Sequence, residues 1–147
     1  MTVSLTTDDP PAAVWAVLSD GWQYAGWVVG AKAIRDVDEG FPAPGTKLHH
    51  RFGVGRFTID DSTVVEEAEP ERRLVLRARA RPAGAARVIV ELKPTDDGGT
   101  EISMHEYPTS GLAKAIDNPL LRAAVSGRNL EALRRLKNLA ADARDAS

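Results

Sequence analysis

From Lys32 to about Tyr107 the sequence keeps a period of two, and this run leaves few folds open to the chain. Apolar and polar residues alternate over segments 33–37, 46–52, 57–68, 73–81, 87–93 and 100–107, as in half-buried β-strands. Glycine, proline and aspartate occupy the gaps between segments, which is typical of turns in an antiparallel meander. Val3 and Leu5 alternate with threonine and serine, so they predict a further short strand, giving seven in all.

A long helix is predicted from Asn118 to about Asp142. The Asn118 side chain can accept from an unpaired backbone N–H, and Pro119 suits the first helical position because no N–H is needed there. Leu133 and Leu136 recur at the spacing of one buried helical face. Towards the N-terminus the same face carries Arg122, Ser126 and Asn129. The helix can therefore pack on a sheet at one end and line a ligand cavity at the other.

A shorter helix is predicted after Pro10, and an aromatic segment from Trp22 to Trp27 follows it. Aromatic side chains this close together indicate either core that plugs the sheet or a lid over a cavity. If the segment is a lid, Trp22 and Tyr24 lie at the cavity mouth and Trp27 lies inside.

The composition is that of one ordinary domain spanning residues 1–147, with 43% hydrophobic and 27% charged residues. The absence of cysteine excludes disulfides, thiolate metal sites and cysteine nucleophiles. No signal-peptide pattern and no apolar run of bilayer length is visible, so we expect a cytoplasmic protein without a membrane span. The formal net charge of −2 gives no general attraction to nucleic acid.

Alternation places the apolar residues of the last three strands on one face of the sheet. These residues are Leu74, Leu76, Ala78, Ala80, Val88, Val90, Leu92, Ile102 and Met104. We expect this face to meet the long helix, which makes the chain an α+β protein.

Three polar side chains of the third and fourth strands are predicted on the inner face. His50 faces inwards and His49 outwards, so the two histidines cannot bind one metal ion together. Asp61 and Thr63 share the inner face on the neighbouring strand. His50 is then either a hydrogen-bonded interior residue or an acid–base group at a cavity.

Glu106 follows Met104 on the inner face, where a carboxylate is costly unless it is paired or hydrogen-bonded. Arg122 and Asn129 of the long helix are candidate partners, and so is Arg128 if the helix is rotated. Both a structural ion pair and a ligand contact fit this position.

The outer face of the sheet carries a row of arginines on neighbouring strands. They are Arg73, Arg77, Arg79, Arg81 and Arg87. Such a row could bind anions or a membrane, but Asp60, Glu66 and Glu91 share this face and can pair across an antiparallel sheet. We predict a solvated surface whose charges neutralise one another.

Several short motifs, taken in order, resemble a known family. They are Pro11-Ala12-Ala13-Val14-Trp15, the segment ending at Trp27, Gly45, Thr63 with Val65, Pro70, Gly99-Thr100 and Arg128-Asn129. Their order and spacing resemble the polyketide cyclase/dehydrase and lipid-transport branch of the SRPBCC superfamily, which also holds START-like and birch-pollen-allergen-like proteins. The resemblance covers nearly the whole chain. It implies a helix-grip fold, a seven-stranded curved antiparallel sheet wrapped around a long C-terminal helix, with short helical material after strand 1.

The resemblance also implies an internal cavity that binds a small hydrophobic ligand such as a lipid, steroid or polyketide. It implies no particular reaction, because family members divide between enzymes and carriers. We predict a carrier or sensor; the alternative is a polyketide cyclase/dehydratase-like enzyme that uses a cavity histidine or glutamate for proton transfer. No residue is assigned as catalytic, no metal or other cofactor is expected, and both a monomer and a homodimer remain open.

The candidate site residues follow from these arguments. The candidates for the cavity are Trp27, His50, Asp61, Thr63, Met104, Glu106, Arg122 and Asn129. The candidates for its mouth are Trp22 and Tyr24.

Overall fold

A computed structural model describes residues 1–80, 84–110 and 118–145. The elements in chain order are β1 (Thr2–Thr7), α1 (Pro11–Leu18), a 3-10 turn (Gly21–Gln23), α2 (Tyr24–Trp27), β2 (Ala31–Val37), β3 (Lys47–Val54), β4 (Phe57–Glu69), β5 (Arg73–Ala80), β6 (Gly84–Pro94), β7 (Thr100–Ser110) and α3 (Pro119–Asp145). The predicted seven strands and two main helices are confirmed, with bounds that differ by a few residues.

The strands form one antiparallel sheet in the order β1-β7-β6-β5-β4-β3-β2. With α3 packed in its concave face, this is the helix-grip fold that the resemblance implied. We call one end of the sheet the hairpin end. It holds Ala31 of β2, the β3–β4 hairpin at 53–57, Ala80 and Gly84 where β5 and β6 pair, and Ser110 of β7.

The concave face carries the apolar residues that alternation assigned to it. Leu74 pairs with Val90, and Val90 pairs with Met104 across the next strand. All three are buried in one cluster with Leu133 and Leu136 of α3.

The start of α3 has the predicted cap, since Asn118 Oδ1 accepts a hydrogen bond from the Leu121 N–H at 2.7 Å. The helix buries one face along its C-terminal half. The buried residues are Asn129, Ala132, Leu133, Leu136 and Ala140. Along its C-terminal half the helix therefore packs against the concave face of the sheet.

The C-terminal end of α3 is tied to the end of the sheet opposite the hairpin end. The buried carboxylate of Asp9 accepts from Arg144 Nη1 at 2.8 Å, and the Asp9 carbonyl accepts from Thr100 Oγ1 at 2.8 Å. A buried carboxylate is tolerated here because it is paired and hydrogen-bonded.

Charged residues on the convex face pair across strands, as predicted. Arg87 Nε lies 2.6 Å from Glu66 Oε1, and Arg73 Nη1 lies 3.8 Å from Glu91 Oε1. Arg79 near the end of β5 is exposed, as predicted, and also borders a cavity. Arg81 lies outside the described residues.

Candidate functional site

A cavity of about 1030 Å³ lies between the concave face of the sheet and the N-terminal half of α3. Along this half, α3 directs Val125, Asn129 and Ala132 inwards, and side chains of this size do not fill the curve of the sheet. Apolar side chains from α2, the loop after it and the sheet form most of the wall. They include Trp27, Val29, Phe52, Leu76, Val88 and Met104. The volume is that of a pocket for a drug-sized or lipid-like molecule.

An ion pair lies in the wall of this cavity. Arg128 Nη2 donates to Glu106 Oε1 at 2.6 Å and to Oε2 at 2.5 Å, and Arg128 Nε donates to Asn129 Oδ1 at 3.4 Å. The Glu106 side chain is 14% exposed and the Arg128 side chain 42% exposed, so the carboxylate is the more buried partner. Among the three helix residues considered as partners, the ion pair forms with Arg128. Arg122 and Asn129 also line the cavity.

Tyr24 is a second polar side chain among the residues that line the cavity. Its hydroxyl lies 3.4 Å from Thr63 Oγ1. Burial raises the pKa of Tyr24 to about 12, and the negative charge of Glu106 contributes to this rise. Tyr24 is therefore a neutral hydrogen-bond donor at physiological pH.

His50 lies in a layer behind the cavity wall. Its ring stacks on the Tyr24 ring with centroids 5.9 Å apart, and it lies in a T-shaped arrangement with the Phe52 ring, with centroids 4.3 Å apart. Tyr24 and Phe52 both line the cavity. His50 Nε2 lies 2.9 Å from Thr63 Oγ1. Burial lowers the pKa of His50 to about 4, so the ring is neutral at pH 7.

Three of the predicted cavity residues are thus buried without lining the cavity. His50 and Asp61 are cross-strand neighbours, and Thr63 follows on the same face of β4. The Asp61 side chain hydrogen-bonds to the neighbouring backbone, since its Oδ1 accepts from the Ser62 N–H at 2.9 Å. The alternation of residues along β3 and β4 identified the inner face correctly. It could not show that the rings of Tyr24 and Phe52 lie between these three residues and the cavity.

The aromatic segment forms core and cavity wall. Tyr24 and Trp27 are buried, touch each other with ring centroids 5.4 Å apart, and line the cavity. Trp22 is 60% exposed and does not line it. The preceding Gly21 packs on Val37, the end of β2 that lies away from the hairpin end. The structure thus places Tyr24 in the cavity wall and Trp22 outside it, next to Gly21, and the assignment of the two residues to a cavity mouth stays a prediction.

Sequence reasoning missed several lining residues outside the regular alternation. Val28 and Val29 follow the aromatic segment, Tyr107 ends the predicted strand 100–107, and Pro108 comes after it on β7. The apolar pair directly after Trp27 was an available signal. Tyr107 and Pro108 lie near the end of a strand, where the alternation of residues does not show whether a side chain reaches the cavity.

The described ranges are 1–80, 84–110 and 118–145. No group of three or more histidine, aspartate or glutamate residues there could hold a metal ion. No helix within these ranges is both long enough and apolar enough to cross a bilayer.

The family model described as polyketide cyclase/dehydrase and lipid transport matches residues 1–141. No curated protein sequence matches the chain. Several solved structures share its fold. The Zhui aromatase/cyclase from Streptomyces sp. R1128 is 18% identical with a TM-score of 0.71, over 95% of this chain and 92% of that one.

Two further structures show the range of proteins with this fold. Ara h 8.0201 is 15% identical with a TM-score of 0.70, over 97% of each chain. The di-domain ARO/CYC StfQ of the steffimycin biosynthetic pathway is 12% identical with a TM-score of 0.74, over 99% of this chain and 51% of that one. At these identities the likeness concerns the fold.

Proposed function

Because the chain belongs to the polyketide cyclase/dehydrase and lipid-transport family, we propose that it is a carrier or sensor that holds a small hydrophobic molecule in its cavity. The observation that carries this proposal is the hollow of about 1030 Å³ under α3, with a wall that is mainly apolar. Filling such a space with an apolar body removes hydrophobic surface of both partners from water.

The wall also carries polar side chains that bear on the kind of ligand, among them Tyr24 and the Glu106–Arg128 ion pair. Tyr24 offers a neutral donor, while Arg128 is held by Glu106 on the α3 side of the same cavity. A ligand with an apolar body and one carbonyl or hydroxyl group fits this arrangement. The polar group would bind at Tyr24 and the ion pair, and the body would lie against Phe52, Val88 and their neighbours.

Ligand binding is tested with a panel of fatty acids, sterols, flavonoids and aromatic polyketides. A ligand at about 100 times its Kd should stabilise the protein by about 2.7 kcal/mol and raise Tm accordingly. It should also change the fluorescence of Trp27, and the Trp22→Phe variant removes the exposed tryptophan from that signal. A panel without any thermal shift or fluorescence change would contradict the proposal.

A second candidate function is a cyclase or dehydratase-like enzyme. One observation favours it: Tyr24, a proton donor, and Glu106, a carboxylate, both line the same mainly apolar cavity. His50 could act in such a reaction only through Tyr24 or Thr63, because it does not line the cavity.

The two functions differ in what Tyr24→Phe and Glu106→Gln remove. In a carrier, each variant should weaken binding of a poly-ketone by roughly 1 kcal/mol, the net worth of one hydrogen bond. In an enzyme, loss of a general acid or base should slow cyclisation by about 10²–10⁴ with little change in binding. Turnover that either variant abolishes without unfolding the protein would favour the enzyme.

A further inference from the structure

Large apolar side chains are exposed to solvent at the hairpin end of the sheet and at the start of α3. Phe57 at the start of β4 is 80% exposed, and Leu120 at the start of α3 is 82% exposed. Ile59 and Leu121 beside them are also exposed. Apolar side chains this exposed are ordinary when single but mark a contact surface when they cluster.

These exposed side chains lie next to residues of the cavity wall. Phe57 and Ile59 lie on the same face of β4, and Ile59 pairs with Phe52, a residue of the cavity wall. On the other side, Leu121 itself lines the cavity. Among the described residues, β4 pairs with β5 from Thr63 to Glu69, whereas its pairing with β3 runs on to Val54 and Phe57 at the hairpin. The exposed apolar residues are thus continuous with the cavity wall.

Cationic side chains surround the same region. Lys32, Arg56, Arg79 and Arg122 are all exposed, and Arg79 and Arg122 line the cavity as well. The nearby carboxylates are already engaged by arginines: Asp60 lies 2.8 Å from Arg51 Nε, and Glu106 is held by Arg128. Counting the described residues alone, the hairpin end is therefore locally basic, although the chain carries a net charge of −2.

We propose that the hairpin end docks on the surface of an anionic phospholipid membrane. Phe57 and Leu120 would enter the boundary between headgroups and acyl chains, and the four cations would bind lipid phosphates. A second copy of the chain fits less well, because a two-fold contact through this patch would bring like charges together. Docking in this way turns the cavity towards the lipid surface and needs no particular cavity ligand.

The absence of cysteine makes the insertion directly measurable. Single variants Phe57→Cys, Leu120→Cys and Trp22→Cys are labelled with the polarity-sensitive dye NBD. They are then titrated with vesicles of phosphatidylcholine, with or without phosphatidylglycerol. Dyes at 57 and 120 should brighten and shift to the blue only with phosphatidylglycerol present. The dye at 22 should not respond, because that exposed residue lies away from the hairpin end.

Co-sedimentation of unlabelled protein with the same vesicles separates the apolar and the charged contributions. Phe57→Ser combined with Leu120→Ser should weaken binding by about tenfold or more, since two large apolar side chains no longer enter the interface. Arg56→Glu should weaken binding and make it less sensitive to salt. Trp22→Ser, which removes an exposed apolar side chain elsewhere, should bind as the wild type does.

Three results would overturn the proposal. The first is the lack of an NBD response at both 57 and 120. The second is an equal response at 22, which would indicate adsorption without orientation. The third is binding of this patch to a second copy or to an acidic protein while vesicles are ignored. None of these results depends on whether the cavity holds a ligand, so failure here is distinguishable from failure of the carrier function.

Discussion

Glu106 is a carboxylate in a mainly apolar wall, and its position depends on Arg128. The two are joined by short contacts from Nη2 to both carboxylate oxygens. When one partner of a buried ion pair is removed, the remaining charge keeps its desolvation cost and the protein is destabilised. When both partners are replaced by apolar residues, the protein loses little stability. The pair therefore matters less for net stability than for keeping a charged group in the cavity wall.

We expect Arg128→Ala to destabilise the protein by about 1–3 kcal/mol, because Glu106 remains desolvated without its partner. Adding Glu106→Gln should recover part of this loss. Arg134→Ala is the matched control, since Arg134 is 61% exposed and pairs with Glu131 only at 3.8 Å; its cost should be at most about 1 kcal/mol. Urea denaturation measures all three changes. Equal costs for Arg128→Ala and Arg134→Ala would show that the ion pair contributes nothing special.

His50 gives the protein a specific pH dependence. The ordinary pKa of histidine is 6.5, and burial lowers the pKa of His50 to about 4 in the folded state. Between these values the unfolded state binds a proton that the folded state does not. Stability should therefore fall as pH falls from 6.5 to about 4, by about 3 kcal/mol from this residue, and should be fully present above pH 6.5.

His50→Gln should remove this dependence while leaving an amide that can reach Thr63. Carboxylates also change stability in acid, so the quantity to measure is the difference between wild type and variant in urea denaturation at several pH values. The wild type should lose more stability than the variant between pH 6.5 and about 4. Parallel curves over this window would mean that the folded state protonates His50 without penalty.

α3 completes the core with its C-terminal half and covers the cavity with its N-terminal half. Leu133 and Leu136 are fully buried against the sheet. We expect Leu133→Ala and Leu136→Ala each to cost about 2–5 kcal/mol, as buried leucines do. Lys137→Ala, an exposed change on the same helix, should stay within about 0.5 kcal/mol. Chemical denaturation that gave equal costs at 136 and 137 would contradict the packing of α3.

The elements were predictable because their signals repeat. Alternation over many residues defined the strands and the concave face, and the Asn118 cap with the leucine spacing defined α3. The site was less predictable because single residues decide it. Adjacent helix positions such as Arg128 and Asn129 differ by about 100° in direction, so a small error in helix rotation changes the partner of Glu106. Alternation along β3 likewise could not show that Tyr24 and Phe52 cover His50.

For the molecule as a whole, one sheet and one helix enclose both a core and a cavity. The division falls within α3, where Leu133 and Leu136 pack in the core and Val125 and Asn129 line the cavity. The cavity meets the hairpin end, where exposed apolar and cationic residues gather. Ligand binding and membrane docking would then use adjoining surfaces of the same domain.

Native mass spectrometry of the protein as purified tests the central claim, that the cavity holds an apolar ligand. We predict an additional mass on the wild type that is lost in organic solvent. Ala132→Trp, which fills part of the cavity, should reduce its occupancy, whereas Ala124→Trp, an exposed change on the same helix, should not. A retained ligand with equal occupancy in both variants would contradict the account, as would a wild type that carries no ligand and takes up none from the panel.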